Sequence, residues 1–79
     1  NSTPAVLKPL DDVTGRFFVR IKKDAAKEAK KVFGEIEVIC LKQLPEECAF
    51  ITAEMTQGEF KEKLTKIESQ VLAKIRVKD

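Results

Sequence analysis

The spacing of apolar residues changes along this chain in an order that restricts the folds open to it. Apolar and polar residues alternate, as in half-buried strands, over four stretches: 16–22, 35–42, 48–54 and 71–77. Between them the apolar residues recur about every 3.6 positions, as in helices, over 25–33 and 57–69. This order predicts an α+β fold of the ferredoxin-like βαββαβ layout, a four-stranded antiparallel sheet with both helices on one face. The other face of such a sheet is left bare.

Length and the distribution of prolines predict the domain organisation. The 79 residues suffice for one domain, which at this size buries roughly 60% of its unfolded surface. Residues 1–14 contain Pro4, Pro9 and the Asp11-Asp12 pair and show no periodicity. We therefore expect residues 1–14 to be a linker from an upstream catalytic region, and residues 15–79 to form the domain.

The charge balance argues against two classes of partner. The chain has 15 basic and 13 acidic residues, a net charge of +2, which is too weak to indicate nucleic acid or a membrane surface. No apolar run is long enough to span a bilayer, and no signal-peptide pattern opens the chain. With only two cysteines there is no disulfide framework, so we expect a cytoplasmic protein.

The residue types present argue against catalysis. The chain has no histidine, which is the commonest general base and the commonest metal ligand. Its three glycines are isolated, so there is no glycine-rich phosphate loop. We expect no catalytic residue, no metal site and no cofactor in this chain.

Cys40 and Cys48 flank the predicted hairpin symmetrically about Leu44. Their spacing does not match a zinc site. The interpretation we favour is two small buried hydrophobic residues; the alternative is a cross-strand disulfide or redox pair.

Local signals place the ends of both helices. Asp24 has the chemistry of an N-cap for the first helix, and Gly34 that of a left-handed C-terminal cap. Thr56 and Glu59 match a capping box, with Met55 and Phe60 as the accompanying hydrophobic staple.

The second predicted strand is apolar on both faces, although helices cover only one side of the sheet. It directs Ile36, Val38 and Cys40 to one face and Ile39 and Leu41 to the other. Two apolar faces require a second cover, such as a partner subunit. We expect an association face, and hence a dimer, formed by Phe18, Ile39, Leu41, Ile51 and Leu72.

Both ends of the sequence resemble a known domain. Leu7-Lys8-Pro9-Leu10-Asp11-Asp12 followed by Arg16-Phe17-Phe18-Val19-Arg20-Ile21 is similar to the entry into the C-terminal ACT domain of homoserine dehydrogenase. Ile51-Thr52, the helix from Thr56 to Ser69 and the closing Ile75-Arg76-Val77 resemble the rest of that domain. These segments cover more than half of the chain. ACT domains have the ferredoxin-like fold that the periodicity predicts.

The resemblance implies regulation of an enzyme of amino-acid biosynthesis. ACT domains bind amino-acid effectors at the loop between the first strand and the first helix, often across a subunit interface. For homoserine dehydrogenase the implied effector is threonine. The catalytic domain, with its NAD(P) site, would lie upstream and be a second partner of this chain. The implied effector-binding residues here are Lys23, Asp24, Ala25, Ala26 and Gln43.

The chain departs from the family at that loop. The family reads D-x-P-G-V-L, whereas this chain reads Asp24-Ala25-Ala26-Lys27 and lacks the Pro-Gly pair. We therefore expect effector binding to be weak or lost. Asp24 then caps the helix, and Gln43 is an exposed hairpin residue.

Two alternative functions remain open. The first is an oligomerisation module that binds no ligand. The second is a ferredoxin-like RNA-binding module, which requires exposed aromatic residues with a basic surround. Phe18 with Arg20 and Lys74 is the one cluster in the sequence that suits RNA.

Overall fold

A computed structural model describes residues 13–77 as six strands and two α-helices. The strands are β1 (Thr14–Gly15), β2 (Phe17–Lys22), β3 (Ile39–Cys40), β4 (Glu47–Ile51), β5 (Met55–Thr56) and β6 (Val71–Arg76). The helices are α1 (Ala26–Phe33) and α2 (Gln57–Leu64). A 3₁₀ turn, Lys23–Ala25, leads into α1, and a second, Thr65–Gln70, follows α2.

The predicted fold class is confirmed. Four strands form one antiparallel sheet in the order β3-β4-β2-β6. Counting only these strands along the chain, the order is second, third, first, fourth, with α1 and α2 in the two crossover connections. That is the ferredoxin-like arrangement.

The core lies between the sheet and the two helices. Phe17, Val19 and Ile21 of β2 are at most 4% exposed, as the alternation along that strand predicts. The ring of Phe17 stacks on that of Phe60 from α2, with centroids 4.0 Å apart. The ring of Phe33 from α1 contacts that of Phe50 from β4 at 5.2 Å. Both helices therefore cover the same face of the sheet.

The start of α2 agrees with the predicted capping box. The Thr56 hydroxyl accepts a hydrogen bond from the Glu59 N–H at 3.0 Å, which satisfies one of the donors left free in the first turn. Met55 and Phe60 both belong to the buried core.

The predicted cap of α1 is wrong. Asp24 lies inside the 3₁₀ turn rather than before the helix, and no side-chain cap bond is made at either start position. The Lys23 N–H, at the first residue of the turn, donates to the Glu46 carbonyl at 2.9 Å, so a neighbouring loop holds the start of the turn. At the other end Gly34 has the positive φ of 78° that a glycine allows, but its ψ of −125° lies outside the left-handed helical region that was predicted; its N–H donates to the Lys30 carbonyl.

The second helix is shorter than predicted. Its α-helical part ends at Leu64, and Ile67 has non-helical backbone angles. The Thr65 hydroxyl donates to the Glu62 carbonyl at 2.6 Å, a local bond that competes with helix continuation. The apolar stripe is nevertheless as predicted, because Phe60, Leu64 and Ile67 are all buried.

The predicted second strand is reduced to two residues. The Ile36 N–H bonds back to the Gly34 carbonyl at 2.9 Å, and the chain pairs with β4 only at Ile39 and Cys40. Ile36 and Val38 still pack on the core as partly buried side chains. The edge of the sheet on this side is therefore short and held by few hydrogen bonds.

A two-stranded sheet of β1 and β5 was not predicted from the sequence. It joins the residues before β2 to the start of α2, and the Gln57 N–H extends this pairing by donating to the Val13 carbonyl at 2.9 Å. Next to it the buried Thr52 hydroxyl accepts from the Phe17 N–H at 3.1 Å and donates to the Ala53 carbonyl at 2.8 Å. Residues 1–12 of the predicted linker lie outside the described residues.

The favoured interpretation of the cysteines is wrong. Cys40 and Cys48 are opposite each other in register and form a disulfide, with the sulfur atoms 2.03 Å apart. Cys48 is buried, but Cys40 is exposed because its edge strand has no neighbour on the outer side. The alternative of a cross-strand disulfide is confirmed.

No helix within residues 13–77 is long and apolar enough to cross a membrane.

Candidate functional site

The candidate site is the face of the sheet that α1 and α2 do not cover. Strand register places its side chains in two rows across the strands, Ile51–Phe18–Ile75 and Ile39–Ala49–Arg20–Ala73. Nearly all of these side chains are apolar. We call this surface, together with Leu41 and Leu72 at its margins, the association face.

The large aliphatic residues of the association face are accessible in the single chain. Their exposed fractions are 56% for Ile39, 53% for Leu41, 46% for Ile51 and 46% for Leu72. Phe18 is half-buried beneath them. The five residues predicted for this face therefore lie on the uncovered side of the sheet or at its edge, as the alternation indicated.

Ile75 is the most exposed of the large hydrophobic residues described, at 63%, and was not predicted for this face. The pairing of β6 with β2 is interrupted between Arg20 and Ile21, where Leu72 is an extra residue. Such a bulge changes which residues point to each face. If the side chains alternated strictly from Leu72 onward, Ile75 would face the core. The bulge turns it to the uncovered face, which is why the sequence did not predict Ile75 there.

An ion pair of Arg20 and Glu47 lies at the border of these apolar rows, with Lys22 opposite Glu47 in register. The Arg20 Nε donates to Glu47 Oε2 at 2.7 Å, and Arg20 Nη2 donates to Glu47 Oε1 at 3.0 Å. This hydrogen bonding, aided by the charge of Arg20 and opposed by partial burial, holds the pKa of the Glu47 carboxyl below its ordinary value. The pair adds no net charge to the association face.

An apolar hollow of about 260 Å³ opens on the association face beside β3. Its walls are Phe18, Arg20, Ile39, Leu41, Leu44, Glu47, Cys48 and Ala49. The hollow could receive an apolar side chain of a partner, with the ion pair at its border. The predicted third strand begins at Cys48, one residue after Glu47, so neither the pair nor the hollow was predicted.

The predicted effector-binding residues do not share one site. Lys23 and Asp24 line an open depression of about 400 Å³ with Lys22, Pro45, Glu46, Glu47 and Leu72. Ala25 is only 2% exposed and belongs to the core, and Ala26 is half-buried. Gln43 is exposed but is not among the lining residues.

One backbone donor at the depression is already used. The Lys23 N–H already donates to the Glu46 carbonyl. The walls carry both signs of charge, two lysines against Asp24, Glu46 and Glu47. The geometry at this loop thus differs from a turn that presents successive free N–H groups to a carboxylate.

The cluster considered for RNA is not assembled. Lys74 is opposite Val19 in register, and it lines depressions with Lys61 of α2, so its side chain lies on the helix side of the sheet. Arg20 is engaged by Glu47. Phe18 therefore has no basic surround formed by these residues. Within residues 13–77, no three acidic or cysteine side chains group as a metal site requires.

No protein-family model matches the sequence, and no curated protein is significantly similar to it. The resemblance to the ACT domain of homoserine dehydrogenase thus rests on the residues quoted for it and on the compatible fold.

Proposed function

We propose that this chain is a non-catalytic regulatory domain of the ACT type whose main activity is protein association, two copies packing through the association face. The observation that carries the proposal is the accessible apolar surface on the bare side of the sheet. Its five most exposed aliphatic residues, Ile39, Leu41, Ile51, Leu72 and Ile75, are each 46–63% exposed, and exposed apolar patches with polar borders mark protein interaction sites. A standard interface takes roughly 800 Å² from each partner.

Charge favours a second copy as the occupant. The Arg20–Glu47 pair is internally neutral, so two association faces meet without like-charge repulsion from this pair. The net charge of +2 on the whole chain is also small. A strongly charged partner would gain little here.

The resemblance supplies the biological setting of the proposal. It implies a parent enzyme that is an NAD(P)-dependent homoserine dehydrogenase of the cytoplasm, with threonine as feedback effector and the cofactor held upstream. Reading the coding sequence before Asn1 tests this setting. A G-x-G-x-x-G strand-helix unit there would support it, and a different catalytic domain would contradict it.

Sedimentation equilibrium of the 79-residue chain tests the association. We expect a reversible dimer in the wild type, and at least tenfold weaker dimerisation in Leu41→Lys, because an unpaired charge would be buried in the interface. Ser69→Lys is the matched control. It adds the same charge at an exposed position on the helix side and should dimerise as the wild type does. A strict monomer at high concentration, or equal effects of the two substitutions, would refute the proposal.

A further inference from the structure

The disulfide ties the edge strand that carries Ile39 to the rest of the sheet, on the face opposite the association face. Cys40 lies in the exposed edge strand β3, and its partner Cys48 is 2% exposed in the neighbouring β4. We propose that this disulfide is a thiol-responsive switch, attacked at Cys40, which releases β3 and with it part of the association face. The effect on association rests on the proposed function, but the site of attack does not.

Accessibility decides which sulfur reacts. Exchange requires a thiolate to approach one sulfur along the S–S bond while the other sulfur leaves. Cys40 is an exposed residue and lines an open depression of about 290 Å³. Cys48, in contrast, is packed in the core. An external thiolate therefore meets Cys40.

The surroundings of Cys40 suit an anionic reagent. Lys23 and Lys42 line the same depression. Positive charges near a reacting sulfur favour the thiolate form. Glutathione and protein dithiols, both of which react as thiolates, are reagents of the expected class.

The reaction balances with a dithiol reductant. Its first thiolate forms a bond to Cys40 Sγ, the Cys40–Cys48 bond breaks, and Cys48 leaves as a thiolate that takes up a proton. The second thiolate of the reductant then attacks the mixed disulfide and releases Cys40. The protein gains two electrons and two protons, and the reductant is oxidised to its disulfide.

Little else holds β3 to the sheet. The strand pairs with β4 at two positions only, Ile39 with Ala49 and Cys40 with Cys48. Ile39 and Leu41, on either side of Cys40, are walls of the apolar hollow. Once the covalent link is cut, these two side chains lose their fixed position and the hollow loses its outer wall. In the cytoplasm, disulfides are usually transient and redox-sensing.

Mapping the mixed disulfide tests the site of attack. The oxidised chain is treated briefly with reduced glutathione, quenched with acid, digested with trypsin and read by mass spectrometry. Cleavage after Lys42 separates the two cysteines. We expect glutathione on the peptide that ends at Lys42 and not on the one that begins at Gln43. Equal labelling of both, or labelling of Cys48 alone, would overturn the assignment.

Reduction tests the consequence. Dithiothreitol should weaken dimerisation of the wild type roughly tenfold or more, and reoxidation should restore it. Amide exchange should accelerate at Ile39 and Cys40 but stay slow in β2. A Cys40→Ser/Cys48→Ala variant should dimerise as weakly as the reduced wild type, and dithiothreitol should not change its dimerisation.

The possible failures are distinguishable. If the oxidised chain is monomeric, the proposed function is wrong. The glutathione mapping still shows whether Cys40 is the sulfur that is attacked. If dimerisation is unchanged by reduction, the switch fails and the association face stands. Global unfolding on reduction, seen as fast exchange throughout β2, would overturn the local release of β3.

Discussion

The Arg20 guanidinium binds the Glu47 carboxylate with two parallel hydrogen bonds, 2.7 and 3.0 Å long, on a largely apolar sheet face. The residues belong to neighbouring strands and are offset by one pleat, since Arg20 is opposite Ala49 and Glu47 is opposite Lys22. Fork-to-fork geometry of this kind fixes direction as well as distance. The pair therefore keeps both charges within the association face while cancelling them.

This ion pair gives the association face a pH dependence with a definite sign. Because Arg20 lowers the pKa of Glu47 in the folded chain, the interaction adds stability above the ordinary glutamate pKa of 4.5, and that stability is lost as pH falls through the lowered value. An NMR titration of the Glu47 side-chain carbon should give a midpoint below 4.5. In Arg20→Gln the midpoint should rise. An identical midpoint in both proteins would show that the pair does not persist in solution.

The cap of α2 makes a measurable contribution to stability. Thr56→Ala removes the acceptor of the Glu59 N–H and should lower the free energy of unfolding by about 1 kcal/mol. Thr56→Ser keeps the hydroxyl and is the control, with a much smaller loss expected. Urea denaturation measures both. Equal midpoints for the alanine variant and the wild type would contradict the cap.

Thr52 tests the junction between β2 and β4. Its hydroxyl is the buried acceptor for the Phe17 N–H, so Thr52→Val leaves that donor unpaired at nearly constant volume. We expect a loss of about 1–3 kcal/mol in the free energy of unfolding. Thr52→Ser retains the acceptor and should lose less. A valine variant as stable as the wild type would mean that the hydrogen bond contributes nothing net.

Much of the fold follows from local sequence signals, and the exceptions have local causes. The alternation in β2 and the stripe of α2 predicted the core because both elements are regular over the stretch concerned. The predictions failed where the backbone departs locally from a regular element. Asp24 lies inside a 3₁₀ turn and so does not stand before the helix as its cap, and the Leu72 bulge reverses the facing of Ile75.

The candidate site was only partly predictable for the same reason. The exposed aliphatic residues follow from alternation, but the Arg20–Glu47 pair and the disulfide depend on which residues of neighbouring strands are opposite or diagonal. The sequence places Cys40 and Cys48 symmetrically about the turn. That symmetry allowed a cross-strand bond but did not decide between it and two free thiols.

The strand–helix turn should bind threonine weakly or not at all. A carboxylate would need free N–H groups at the start of the helix, yet the Lys23 N–H is taken by Glu46 and Ala25 is buried. Without a Pro-Gly pair, Cβ atoms also stand where an anion would approach the backbone. Asp24 is exposed and lines the depression together with Glu46 and Glu47, so it is one of the carboxylates placed to receive an ammonium group.

Calorimetric titration of threonine into the chain checks this expectation. We expect no saturable heat at concentrations below about 1 mM, the range in which binding would exceed roughly 4 kcal/mol. Alanine, which has the same charged groups, is the matched control for nonspecific heat. Asp24→Ala should abolish any weak threonine signal that remains. Tight binding that survives Asp24→Ala would overturn both the expected weakness and the location of the site, since neither the exposed carboxylate nor the occupied Lys23 N–H could then account for it.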